Sequence, residues 1–536
     1  MDFLTKSLGY IACASIFLFT SCNKFEFDKI AKGAWNPNLA VPIAHSSFGV
    51  YDILALQDSS NLINSSQNNG VLTIVYRSDF FSLAPGNLLN IPNITESASL
   101  DLLALGAIPV PTFPGTVTST SDEIIQIDAS GSEIHLGKVK SGTLDLNVST
   151  DLEHDLTCEI TIPGLKSNGV PVSVTVALPY TGAVPHSGTA SIDLTDAMAD
   201  FTLNNTDFNK LKVSIKTTIN GTGQPIYGTE EVNFDFSFND MKFKNATGYF
   251  GQINLGASSD TVEFKFLQNA SNAYFELVNP KIRFIAKNTF GLPIDYQLLM
   301  LKTVDLQNGT ENVLSGYPNS FYIASGSPTG QAVTTEIELN TTNTSGLSGL
   351  ISSAPKLFVF GAGANTNPQG NVAPLNFISE DSRLNIETEV ELPLEGSAYG
   401  LEMKDTVNFS FNEDVSLLES VMFRLNIDNG FPMELKSQIV FLDANYIPLF
   451  TLFNTPESVI APALVDNTGR VNKRTEKITD ITIGPAQILL LPEVKYLLLN
   501  TSSQTLEGPS GKIVKFYDDY TIDLKLGLQI QGKIQL

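Results

Sequence analysis

The feature that most limits what this 536-residue chain can fold into is a two-residue alternation of apolar and polar side chains, repeated along most of its length. Leu144-Asp-Leu-Asn-Val148, Pro171-Val-Ser-Val-Thr-Val176, Val232-Asn-Phe-Asp-Phe-Ser-Phe238 and Leu384-Asn-Ile-Glu-Thr-Glu-Val-Glu-Leu392 all carry it. Successive side chains of an extended strand point to opposite faces, so each segment offers one apolar and one wet face, as antiparallel sheets packed in pairs require. Composition agrees. Only 16% of residues are charged while 42% are hydrophobic, which suits sheets with hydroxyl and amide outer faces better than charged helices. The expectation is an all-β chain of tandem antiparallel β-sandwich-like domains.

The chain also repeats itself. Asp260-Thr-Val-Glu-Phe-Lys-Phe266 recurs as Asp405-Thr-Val-Asn-Phe-Ser-Phe411. Each copy follows an aromatic-glycine step, Tyr249-Phe-Gly251 or Tyr399-Gly400, and precedes a strand, an Asn/Gly turn and a Pro-apolar strand. Those segments are Ile282 to Ile294 in one copy and Val421 to Met433 in the other. Thr335–Leu339, Pro355–Val359 and Leu384–Leu392 find weaker partners in Thr479–Ile483, Pro492–Tyr496 and Tyr520–Leu526. A degenerate earlier copy starts at Asp122-Glu-Ile-Ile-Gln-Ile127. Units of about 140 residues with seven or eight strands fit β-sandwiches. The organisation expected is a segment 1–21, an N-terminal region of mixed short elements at 22–116, and β units at 117–250, 251–400 and 401–536. A short helix is expected at Tyr51 to Leu56, and a Pro/Thr-rich linker from Pro109 to Ser121.

Residues 1–21 read as an export signal. Lys6 precedes the apolar run Leu8 to Phe19, which is far shorter than a membrane span and closes on Thr20-Ser21-Cys22. The segment resembles the lipobox of bacterial lipoproteins, with Phe19 where that motif usually has leucine. The resemblance implies that Cys22 is the lipidation site, acylated as the new N-terminus, and that it holds the chain at a membrane. Asn23 after the cysteine implies the outer membrane, and Asn23-Lys-Phe-Glu-Phe-Asp28 partly matches a surface-export patch. The periplasmic face and the cell surface both remain open. With the passage from Trp35 to Tyr76, the Gly248-Tyr-Phe-Gly251 step and the Asn-x-Phe-Gly-x-Pro turn, the mature chain resembles uncharacterised Bacteroidota outer-membrane lipoproteins. That resemblance carries no activity with it.

Chemistry is sparsely supplied. A net charge of −24 excludes nucleic acid as a main partner, because a phosphate-neutralising surface needs the opposite sign. The four histidines never pair at metal-ligand spacing, and no His-Glu-x-x-His, Cys-x-x-Cys or Gly-x-Ser-x-Gly motif occurs. No catalytic residue, cofactor or metal site is therefore expected. Cys158, alone in the mature chain once Cys22 is acylated, reads as a buried strand residue, and His154 between Glu153 and Asp155 reads as an exposed turn. Asp193 to Asp200 and Tyr517-Asp-Asp-Tyr520 are the best acidic clusters, the second with tyrosines able to stack on sugar. Gly361 to Gly370 reads as an inter-strand turn. Thr261 and Thr406, in Asp-Thr-Val tripeptides, are candidate O-glycosylation sites, against the commoner meaning of Asp-Thr opening a strand.

These observations favour a non-enzymatic, lipid-anchored envelope or cell-surface β-protein that binds a polysaccharide or an envelope protein, or serves as structure. Apolar runs at Ile488–Leu491 and Leu497–Leu499 raise the alternative of a lipid or hydrophobic-ligand carrier. A surface glycan hydrolase, with carboxylates brought together only in space, is the third reading.

Overall fold

The computed structural model of the chain describes residues 38–50, 62–64, 70–87, 93–102, 109–129, 131–267, 273–306, 309–327, 330–410, 415–416 and 418–532. The export signal, Cys22 and the helix expected at Tyr51–Leu56 lie outside the described residues. Strands make up 62% of the structure and helices 4%, and the strand pairs are antiparallel, so the chain is all-β.

Three strands come first: β1 (Asn38–Gly49), β2 (Leu72–Leu83) and β3 (Ile94–Asp101). A first set of seven follows: β4 (Thr116–Gln126), β5 (Glu133–Thr150), β6 (Asp155–Ser167), β7 (Val170–Leu178), β8 (His186–Asp193), β9 (Lys210–Asn220) and β10 (Glu231–Tyr249). The second set is β11 (Asn254–Glu263), β12 (Lys281–Asn288), β13 (Ile294–Val304), β14 (Ser320–Ile323), β15 (Val333–Leu339), β16 (Leu357–Thr366) and β17 (Leu384–Pro393). The third is β18 (Leu401–Asn408), β19 (Leu418–Asn429), β20 (Met433–Leu442), β21 (Glu457–Ile460), β22 (Thr475–Ile483), β23 (Tyr496–Thr505) and β24 (Thr521–Gly532). Shorter strands lie between these.

The three sets share one topology. In each, the first, sixth, third and fourth strands form one layer: β4-β9-β6-β7, β11-β16-β13-β14 and β18-β23-β20-β21. The seventh, second and fifth form the other layer, and its free edge is closed by one of the three early strands: β3-β10-β5-β8, β2-β17-β12-β15 and β1-β24-β19-β22. The early strands are used in reverse order, so β1 completes the last sandwich and β3 the first. An uncovered edge is a template for aggregation, and each of these seventh strands is covered within the chain.

Alternation explains the cores. Phe234, Phe236 and Phe238 of β10 face inward onto Cys158 and Ile160 of β6 and Val213 and Ile215 of β9. In the second sandwich Phe284 of β12 meets Tyr296 of β13 and Phe360 of β16 with ring centroids 5.9 Å apart in both pairs. Each such buried ring contributes about 2–3 kcal/mol. In the third, Phe423 and Leu425 of β19 pack with Leu524 and Leu526 of β24, and Phe441 of β20 packs with Leu497 and Leu499 of β23.

A buried side chain marks the same corner of all three sandwiches, where the second strand turns into the third. Asn288 Nδ2 donates to the carbonyls of Leu292 (3.1 Å) and Ala324 (2.9 Å), and its Oδ1 accepts the Phe290 N–H. Asn429 Nδ2 donates to the carbonyls of Phe431 (2.8 Å), Met433 (3.1 Å) and Ala461 (2.8 Å), and its Oδ1 accepts the Phe431 N–H. In the first sandwich the residue is Thr150, whose Oγ1 accepts the Leu152 N–H at 3.1 Å.

The sandwiches stack end to end. The Asn429 end of the third meets the second: Leu72 N donates to Phe516 O, and Phe516 N to Leu394 O. Strand Glu395–Tyr399 pairs with Tyr274–Leu277 on one side and Val514–Lys515 on the other. The second meets the first where Asn376–Ser379 pairs with the end of β10 and Lys140 pairs with Glu380 at 2.6 Å. The early strands thus climb the stack, and the three sets of seven build it back down. The segment expected as a linker is part of this frame: Val110 bridges Ile226, Phe113 N donates to Gln224 O, and residues from Thr116 onward belong to β4.

Candidate functional site

The stack has two free ends. The far end belongs to the first sandwich and is built from residues 109–115, 151–154, 179–185 and 221–230. It is tightly held. Glu230 accepts the N–H groups of Tyr227 and Gly228, both at 2.7 Å, Asp155 accepts Tyr180 N–H at 2.7 Å, and Asp151 accepts Glu231 N–H at 2.8 Å. Gly221 lies so close to Phe113 that a Cβ there would fall 2.1 Å from the Phe113 carbonyl oxygen. On this frame Tyr227 and Val184 are exposed, and Tyr180 and Phe113 are half-buried. This end therefore offers an exposed aromatic on a rigid, carboxylate-bearing loop frame.

His154 sits inside this end, which corrects the exposed turn expected from its acidic neighbours. Its side chain is fully buried, edge-on to the Phe113 ring at 5.4 Å. Nδ1 accepts the Thr222 N–H at 3.2 Å, while the Thr222 hydroxyl donates to Glu153 O at 2.6 Å. The tautomer is thereby set with the proton on Nε2, which has no partner among the described residues. Burial pushes the His154 pKa down against the opposing charges of Glu230, Glu153 and Asp155. A neutral imidazole whose only basic nitrogen is already occupied is a structural group, not a general base.

The other candidates disperse. Cys158 is buried in β6 beside Thr217 (3.8 Å), and burial pushes its thiol up to about 11, so no thiolate is available near neutrality. Asp193 caps Thr195, Asp196 is held by Lys244 (2.6 Å) and Lys138 (3.3 Å), and Asp200 caps Thr202. Tyr517 and Tyr520 are buried rather than offered to sugar. Arg470 lies over the Tyr517 ring at 4.1 Å and pairs with Asp519 at 2.6 Å, and Tyr520 Oη accepts the Val471 N–H. No group of three or more histidine, cysteine or carboxylate side chains able to hold a metal occurs among the described residues.

Gly361 to Thr366, expected as a turn, forms half of the central strand β16, where small residues let β11 and β13 approach; only Asn367 to Gly370 turns. Thr261 and Thr406 do not open strands. They occupy matching places late in the edge strands β11 and β18, opposite Val359 and Leu498, with exposed side chains. Ile488–Leu491 is not a strand but a helical turn, whose Ile488 and Leu491 are buried while Leu489 is exposed. Leu497 and Leu499 fill the core of the third sandwich.

The near end is the one at which the chain enters. Asn38 of β1 lies opposite Gln531 of β24, level with Ser420 of β19 and the end of β22, so the first and last described residues share this end. Turn 443–447 and segment 484–495 cover it. Asp443 Oδ1 accepts the N–H groups of Asn445 and Ile447, and Lys495 N donates to Leu442 O. Both ends were invisible in the sequence, because which loops cluster follows from strand order rather than from spacing.

No protein-family model matches the chain, and no curated protein matches it. Among solved structures, a Parabacteroides distasonis protein inferred to be secreted aligns at 14% identity over 52% of this chain and 83% of its own, with a TM-score of 0.31. A chain of the cowpea mosaic virus top component, the naturally occurring empty particles, aligns at 7% identity over 54% of this chain and 92% of its own, with a TM-score of 0.14. Among the described residues no helix is long and apolar enough to cross a membrane.

Proposed function

We propose that this is a non-enzymatic, lipid-anchored protein of the outer envelope, a stiff spacer that carries the loops of its first sandwich away from the membrane to meet a polysaccharide or an envelope protein. The observation that carries the reading is the path of the chain. Asn38, the first described residue after Cys22, enters at the free end of the third sandwich, and the loops around Tyr227 lie at the opposite free end. Strands of ten to twelve residues give each sandwich a length of about 35 Å, so the two ends stand roughly 100 Å apart. Interlocking strands at both junctions supply the stiffness.

The test separates anchor from tip. Metabolic labelling with an alkyne fatty acid in the native host should tag the wild-type chain and not Cys22→Ala; equal labelling of both would refute the anchor. Tyr227→Ser should leave labelling unchanged and abolish capture of isolated envelope polysaccharide or envelope extract. Exposed Thr261 and Thr406 would carry any O-glycan, and intact mass of the native protein against a Thr261→Ala, Thr406→Ala variant reads it directly.

A further inference from the structure

The loops of the near end expose large apolar side chains. Turn 443–447 presents Tyr446 and Ile447 at 59% and 57% exposure, and segment 484–495 presents Leu489 at 65%. Pro448 and Pro485 are exposed beside them. Tyr446, with φ of 62°, is held outward by stacking on Tyr496 at 4.3 Å, ring on ring. Large apolar side chains gathered on two neighbouring loop segments mark an interaction surface, since solvated turns ordinarily carry small polar residues. The same two segments hold only Asp443, Glu493 and Lys495 as charged residues, in a chain of net charge −24.

We infer that this end rests on the lipid surface itself, with Tyr446, Ile447 and Leu489 inserted at headgroup depth, so that the stack stands upright rather than swinging on its tether. The inference rests on the anchored reading above for its geometry. Fifteen residues, 23–37, separate Cys22 from Asn38, and at full extension they reach about 50 Å. That length brings the near end to the bilayer and leaves the loops of the first sandwich out of reach. The two segments themselves carry a net charge of only −1, from Asp443, Glu493 and Lys495, which limits the repulsion that they meet at anionic phospholipid. Tyrosine and branched aliphatic side chains are the types that settle at a membrane interface.

The experiment uses the mature chain without its acyl group, residues 23–536, so that Cys22 plays no part. It is floated with phosphatidylethanolamine/phosphatidylglycerol vesicles beside two variants. The first combines Tyr446→Asn, Ile447→Ser and Leu489→Gln; the second is Tyr227→Ser at the far end. Asparagine tolerates the positive φ at 446, and all three near-end side chains are exposed, so the fold is retained and circular dichroism verifies it. The expected result is vesicle binding that falls at least about tenfold in the triple variant and is unchanged in Tyr227→Ser. Absence of wild-type flotation, or equal flotation of wild type and triple variant, would overturn the inference. A wild-type dimer that the triple variant abolishes, without flotation, would also overturn it and assign the patch to a second copy of the chain. Equal fatty-acid labelling of Cys22→Ala and wild type would refute the anchor and leave this measurement untouched, so the two readings fail separately.

Discussion

Replacing Asn429 by alanine should loosen the third sandwich at the corner where β19 turns into β20. The side chain is fully buried, its two Nδ2 protons are shared among three carbonyls at 2.8–3.1 Å, and its Oδ1 accepts the Phe431 N–H. Alanine leaves the Phe431 N–H and the Ala461 and Phe431 carbonyls without these partners, and each buried orphan costs about 1–3 kcal/mol. Water admitted to the corner recovers part of that, so the net loss should be about 3–5 kcal/mol, near the top of the range for single substitutions. The assay is peptide-resolved hydrogen exchange, because three stacked sandwiches do not unfold in one two-state step. Amides of β19 and β20 should exchange about a thousandfold faster. Asn288→Ala should do the same to β12 and β13, because Asn288 uses the same two donors and one acceptor at the matching corner. A change under tenfold in both variants would refute the account of the corner and, with it, the physical equivalence of the two repeats.

Further outcomes follow from the same structure. A chain that starts at Val50 lacks β1 and leaves β24 with an open edge. It should lose exchange protection in β24 and associate through that edge while the first sandwich stays intact, as mass spectrometry and light scattering would show. Cys158 ionises more readily when unfolded, so its contribution is fully present below its ordinary value of 9.0 and is lost as pH rises toward 11. The stability of the first sandwich should therefore fall over that window by about 2–3 kcal/mol, and Cys158→Val should flatten the profile. His154 runs the other way: its lowered pKa gives stability that is present above its ordinary 6.5 and lost as pH falls. Residues 151–156 and 221–230 should open below pH 6, and equal opening in His154→Asn would contradict that cause.

Much of this fold was legible in the chain, and the reason is local. The alternation in β10 and β17 follows from one wet face and one dry face, and the Asp-Thr-Val strands stand at equivalent sheet edges because the two units share one topology. The early strands were harder to see. β1 contains Pro42, at which its register with β24 shifts, and half of β3 is Ser, Thr and Glu, as edge strands facing solvent tolerate. Their partners lie at the far end of the sequence: Asn38 opposite Gln531 is a pairing no local pattern encodes. The corner residue was hidden in the first sandwich for a different reason. Thr150 does with a hydroxyl oxygen what Asn288 and Asn429 do with an amide oxygen, so the function persists where the letter changes. His154 was misplaced because its charged neighbours in sequence say nothing of Phe113 and Thr222, which cover it.

The central claim is that the near end stands at the membrane and the first sandwich projects away from it. Energy transfer from a single dye to a lipid-borne acceptor measures this directly on acylated protein in vesicles. The dye is placed in turn at Lys495→Cys and Tyr227→Cys, with buried Cys158 left unlabelled. The account predicts strong transfer from position 495 and none from position 227. Comparable transfer from both positions would mean that the stack lies flat, and transfer from 227 alone would mean that it is inverted; either result contradicts the account.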